Sequence, residues 1–149
     1  MSSLGGACYP KGHIECRDLE QDLDHLKLKV EAGLDFVITQ LFFDNADYFS
    51  CVERACLHRV RVRIIPGIMP ITNPAQIERF TSTYGAKIPH PLQAKREAVR
   101  GDTDAVRSTG IDHATTQCRT LLDRGAPGIH FYALNQTPAT RVIFERLRE

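Results

Sequence analysis

The sequence predicts an α/β fold of about four β–α units built on a parallel sheet. Strand-length apolar runs at 5–9, 35–43, 60–67 and 128–134 alternate with stretches whose apolar residues recur at helical spacing. The connections are short, and no Asn-Gly or similar turn joins two apolar runs as a hairpin would require. Strands separated by helices in this way line up in parallel, with the helices packed over them. Four such units are too few to close an eight-stranded barrel, which takes about 250 residues. From the pattern alone, the chain is half of a β/α barrel or a small open α/β domain.

The elements follow in order. GGACY (5–9) is the first strand. Residues 18–32 form a helix, because Leu19, Leu23, Leu26 and Val30 fall on one stripe, and Gly33 closes it. DFVITQLFF (35–43) is a continuous apolar run of the kind buried in a parallel sheet. The helix at 45–58 sets Phe49, Val52, Ala55 and Cys56 on one face, and VRVRIIPG (60–67) is a strand ended by Pro66-Gly67. Asn73 caps a helix over 73–85, with Pro74 at its first position, where a missing N–H does no harm. KIPHPL (87–92) is expected to be non-helical because of its two prolines; QAKREAVR (93–100) is a short helix. A helix at 111–125 ending at Gly125, a strand at 128–134 and a helix at 137–149 complete the chain.

Composition narrows the function. The 149 residues are one domain's worth, and 42% hydrophobic with 25% charged content describes a globular chain. A net charge of +1 offers no footprint for nucleic acid or for an anionic membrane. No apolar run has the roughly 18 residues of a membrane span, and the N-terminus does not read as a secretory signal. Five scattered cysteines without a C-x-x-C argue against a disulfide framework or a zinc site and fit a reducing cytoplasm. The histidines lack H-x-H and H-E-x-x-H spacing, so no metal is expected. Dinucleotide, P-loop and serine-hydrolase fingerprints are absent.

Polar residues collect where such folds bind ligands, beyond the carboxyl ends of the strands. Tyr9, Lys11 and His13 follow the first strand, and Gln40 and Asp44 the second. Thr72 and Asn73 follow the third, and Tyr132 and Asn135 the fourth. Gln40 interrupts a strand-forming run, and a buried amide without partners costs about 1–3 kcal/mol. It therefore pairs internally or faces a ligand. Asp18, Asp22, His25 and Lys29 share a second stripe on the first helix. A charged helical face is ordinarily solvated, but an acceptor, an imidazole and a cation together also suit a ribose hydroxyl and a phosphate.

Several longer motifs add to this reading. AxYPKGHxE at 7–15, DLxxLKxKVxAGxDFxITQLFFD at 22–44, IIPGIMPI at 64–71 and HFYALN at 130–135 resemble methylenetetrahydrofolate reductase, in the same order and over nearly the whole chain. That family is a flavoprotein β8α8 (TIM-type) barrel in which NADH or NADPH reduces FAD. The flavin then reduces 5,10-methylenetetrahydrofolate to 5-methyltetrahydrofolate, a step of one-carbon metabolism and methionine synthesis. The resemblance implies that residues 1–149 are a single partial barrel domain, the second half, with strands equivalent to the fifth to eighth. It implies FAD contacts at Tyr9, His13, Asp22 and Lys29, with Cys16 and His25 as neighbours. It places folate or nicotinamide contacts at Gln40, Gln76 and Phe80.

The chain also departs from the family pattern. A basic residue often follows Y-x-L-N in the family; Gln136 stands there in this chain, altering that folate contact. The first four β–α units, with the acidic proton donor and further flavin contacts, have no counterpart. The chain alone is accordingly expected to be inactive, its parent a cytoplasmic homo-oligomer. The alternative is a non-catalytic half barrel that dimerises or complements a separate amino-terminal half.

Overall fold

Four polar residues start four of the helices, each accepting a backbone N–H that the helix itself leaves unpaired. In a computed structural model that describes residues 2–13, 15–16, 18–133 and 137–149, Asp18 caps α1 (Leu19–Glu31) and Asp44 caps α2 (Asn45–Leu57). Asn73 caps α3 (Pro74–Tyr84), and Asp102 caps α5 (Thr103–Asp123). The shorter α4 (His90–Ala98) lies between the last two, and α6 (Thr137–Leu147) is the final helix. Asp18 is thus a cap, with Oδ1 2.9 Å from the Glu20 N–H, and not a member of the polar stripe expected on α1.

The strands are β1 (Gly5–Cys8), β2 (Phe36–Thr39), β3 (Arg63–Ile65), β4 (Gly67–Ile68) and β5 (His130–Phe131). All pair in parallel, as the alternating pattern predicts. Cys8 stands opposite Thr39, Ile38 opposite Ile65, and Ile68 opposite Phe131. β1, β2 and β3 form one ladder, and β4 and β5 another. Pro66 marks the change of partner: it has no N–H to donate, while its carbonyl accepts from His130 N at 2.9 Å. Gly67 N instead donates to the Thr39 hydroxyl at 2.9 Å, and Tyr132 Oη donates to the Thr39 carbonyl at 2.8 Å. Thr39 therefore joins the two ladders.

Helices cover one face of the sheet. Val37, Thr39 and Ile64 are buried beneath them, with Leu23 and Leu26 of α1, Ala55 of α2, Cys118 and Leu121 of α5, and Ile143 of α6 in the same core. On the opposite face Phe36, Ile38 and Ile65 remain half-exposed. Parallel sheets are ordinarily covered on both sides.

Several boundaries differ from the sequence expectation. β2 stops at Thr39 because Leu41 and Phe43 leave the ladder and pack with Met69, Ile71 and Phe80 in a second apolar cluster. The run 60–67 pairs with β2 only over 63–65, with Gly67 passing to β4, and it starts late because Val60 N is bound to the Ala55 carbonyl at 2.9 Å as the end of α2 folds back. His90, Pro91 and Leu92, expected to be non-helical, open α4: Pro91 lies in the first turn, where no N–H is required. α5 begins at 103, not 111, carrying Gly110 inside it. The last strand is limited to 130–131.

Candidate functional site

The turn after β1 is shaped by its own chemistry. Gly12 adopts φ +84°, which favours glycine, and its N–H returns to the Tyr9 carbonyl at 3.0 Å. This brings the rings of Tyr9 and His13 edge to face, 4.6 Å between centroids. His13 Nδ1 accepts the Glu15 N–H at 3.2 Å, so the proton of the neutral ring sits on Nε2. Arg54 of α2 supports the turn from behind, donating to the Pro10 carbonyl at 2.6 Å. Lys11 pairs with Asp47 at 3.0 Å.

Gln40 follows β2 directly and is held beside this turn by its own backbone N–H, which donates to the Cys8 carbonyl at 2.8 Å. Its side chain answers the question its position raises. Oε1 accepts the Leu41 N–H at 3.0 Å, while Nε2 has no partner among the described residues. The amide is half satisfied, and its donor is free.

Tyr9, His13 and Gln40 line one cleft of about 320 Å³ with Lys11, Phe42 and Lys87. Its far wall comes from the end of α3, where Gly85 takes the left-handed conformation at φ +61°. The volume is at the small end of organic-ligand sites. An aromatic edge, an imidazole and a free amide donor suit a planar heterocycle with a hydrogen-bonding rim.

The other expected residues lie elsewhere. Cys16 faces the start of α1, its sulfur 3.3 Å from the Asp18 carbonyl. Asp22 is half-buried beneath the turn, in a small cavity with Cys8, Cys51 and Arg54. His25 and Lys29 are exposed on α1 and line none of the clefts described. Gln76 and Phe80 belong to a second cleft of about 210 Å³ with Thr72, Arg79 and Tyr132. Gln76 Oε1 there completes a capping box, accepting Thr72 N at 2.9 Å and Asn73 N at 3.1 Å. Phe80 is only 3% exposed and is largely a core ring. Asn135 and Gln136 lie outside the described residues.

Sequence reasoning missed Arg54, Asp47 and the α3 end at Thr83–Lys87. Arg54 and Asp47 read as ordinary charges on the solvated face of α2, and only the fold turns them toward the first turn. Among the described residues no three His, Cys, Asp or Glu cluster as a metal site would require, and no helix is long and apolar enough to cross a membrane.

Known proteins match the chain closely. The family model described as methylenetetrahydrofolate reductase covers residues 2–148. A probable methylenetetrahydrofolate reductase (NADPH) of Caenorhabditis elegans is 40% identical over 97% of this chain, and methylenetetrahydrofolate reductase (NADH) 1 of Arabidopsis thaliana 36% identical over 87%. The chain spans less than a quarter of either relative, 22% and 23% of their lengths. A solved protein from Clostridium thermocellum, described as binding two copies of 5-methyl-5,6,7,8-tetrahydrofolic acid, has a similar fold. Its TM-score is 0.60 at 16% identity, covering 97% of this chain and 52% of that one.

Proposed function

Because this chain belongs to the methylenetetrahydrofolate reductase family, we propose that it is part of the catalytic barrel of an FAD-dependent enzyme. That enzyme reduces 5,10-methylenetetrahydrofolate to 5-methyltetrahydrofolate with NADH or NADPH. One observation carries the reading: Tyr9, His13 and Gln40 face one cleft, and the amide keeps a donor in reserve there.

The cleft suits a flavin's ring system in size and in its hydrogen-bonding groups; it is too small for the whole cofactor. Bound there, FAD would supply the two-electron transfer that no side chain of the cleft provides. Tyr9 and His13 would hold the ring edge, and Gln40 Nε2 would donate to whichever substrate lies against it, pterin or nicotinamide carboxamide. The remainder of the cofactor would run past Cys16 onto the outer face of α1, where His25 and Lys29 would meet hydroxyls and phosphate. Asp22, partly exposed at the small cavity behind Tyr9, would join them. Gln76 and Phe80 would meet the folate from the second cleft, and Gln136, outside the described residues, would be the altered folate contact.

We place the chain as the second half of the β8α8 barrel, inactive without the first, which would bring the acid that protonates the substrate. A second reading has an observation of its own. The half-exposed Phe36, Ile38 and Ile65 form an apolar sheet face that a second half barrel would cover, from another copy or another chain. An FAD titration of the purified chain, alone and co-expressed with an amino-terminal half from a relative, tests both. Turnover only in the co-expressed pair supports the first reading, and stoichiometric FAD binding by a discrete homodimer the second. Absence of FAD binding in both preparations sinks the flavin assignment.

A further inference from the structure

Two thiols lie behind the cleft and take no part in it. Cys8 ends β1 and is 4% exposed; Cys51 of α2 is 3% exposed. Both line a cavity of about 10 Å³ with Asp22 and Arg54, below Tyr9, with space for about one water-sized molecule. Arg54 Nη1 donates to Ser50 Oγ at 2.7 Å and Nη2 to the Pro10 carbonyl, but its buried Nε has no partner among the described residues.

A guanidinium N–H without an acceptor, beside two thiols, stabilises a negative sulfur. The pair is also asymmetric. The neighbouring Cys8 thiol holds the Cys51 thiol below its ordinary value, opposed by burial and by Asp22 and helped by Arg54. The same proximity, with burial, pushes Cys8 up, so Cys51 gives up its proton first and Cys8 keeps its own. Cys118 differs: burial pushes its thiol up to about 12, the condition of an inert structural cysteine.

We propose that Cys8 and Cys51 are a dithiol that hydrogen peroxide converts to a disulfide, re-seating the turn that carries Tyr9 and His13. The oxidant class is hydrogen peroxide, a small neutral two-electron oxidant of thiols. Cys51 thiolate attacks one peroxide oxygen, the O–O bond breaks, and the departing hydroxide takes up the proton that Cys51 released. Cys51 is then a sulfenic acid. Cys8 sulfur attacks it, the S–O bond breaks, and the Cys8 proton leaves with that hydroxide as a second water. Two thiols lose two electrons in all, and one peroxide becomes two waters. An S–S bond of about 2.05 Å draws the end of β1 toward α2, and it removes the anionic sulfur from Arg54, which holds Pro10. The inference does not depend on which ligand the cleft takes.

The test is peroxide treatment of the fully reduced chain, followed by unfolding, alkylation and peptide mass mapping. The expected result is a Cys8–Cys51 cross-linked peptide, with both of these thiols lost to alkylation and recovered by dithiothreitol. Amide exchange over residues 9–13 should change with it and revert on reduction. Cys51→Ser should abolish the cross-link; if that variant does not fold, the mapping of the unaltered chain decides by itself. Full alkylation of Cys8 and Cys51 after exposed Cys56 has been oxidised would overturn the proposal. So would a formed disulfide that leaves exchange at 9–13 unchanged.

Discussion

Gln40 shows how one side chain can serve the fold and a site together. Its oxygen satisfies the Leu41 N–H, and its nitrogen remains available to the cleft. Gln40→Leu keeps the bulk and removes both functions. Losing the internal bond is expected to cost about 1 kcal/mol in urea unfolding. On the proposed function, losing the free donor should raise the Kd of the co-expressed pair of halves for 5-methyltetrahydrofolate, in the presence of FAD, about tenfold. An unchanged Kd by calorimetric titration would remove Gln40 from the site. His113 supplies a pH prediction. Burial holds its imidazole below the ordinary value, opposed by the bond to the Phe43 carbonyl at 3.2 Å and assisted by Lys95. The unfolded chain therefore binds more protons at this site than the folded one as pH falls below about 6.5. Its contribution to stability is complete above that value and is lost as pH falls through the lowered one. The urea midpoint should drop less between about pH 8 and pH 5.5 in His113→Gln than in the parent; equal drops would reject the assignment.

At the scale of elements, Gly110 sets two opposing effects against each other. Inside a helix, Ala is favoured over Gly by about 1 kcal/mol. A Cβ at Gly110, however, would overlap the backbone carbonyl of Ile71, which cannot swing aside as a side-chain tip would. Overpacking of this kind costs about 1–3 kcal/mol or more, so the clash wins. Gly110→Ala is expected to lower unfolding stability despite its better helix propensity, and a stabilised variant in urea denaturation would refute this. The same glycine explains why α5 was legible only from 111. Gly101 and Gly110 read as interruptions in the sequence, whereas the first is a turn at φ +96° and the second a point of close approach. Where local signals agree, as in the leucines of α1 or Asn73-Pro74 at α3, the elements could be read directly. Where tertiary contact overrides them, as at Leu41–Phe43, they could not.

For the whole molecule, the order of elements and their parallel pairing were legible because the alternation of periods is a long-range signal. The composition of the cleft was legible only in part. Tyr9, His13 and Gln40 follow adjacent strands and so had to converge. Gln76 and Phe80 lie a helix away, in another cleft, a displacement no spacing rule anticipates. The uncovered sheet face leads to a prediction about association. Ile38 sits in the centre of that face, between Ala7 and Ile65. The chain should self-associate as concentration rises, and Ile38→Arg should shift sedimentation toward the monomer by placing a charge where apolar surface would pair. If the parent chain is already monomeric at about 100 μM, well above a Kd expected for a stable interface, the face does not seek a partner.

The change of partner at Pro66 bears on insertion and deletion. The stretch 63–68 is held in two registers at once, against β2 before the proline and against β5 after it, with Thr39 fastened to both sides of the change. A strand held in one register can slide to accommodate an added residue; this one cannot, because any slip that restores one ladder breaks the other. Length variation in relatives should therefore gather in the connections around α4, between 85 and 102, and avoid these six positions. The junction between the two ladders is in effect protected by a local intolerance of length change.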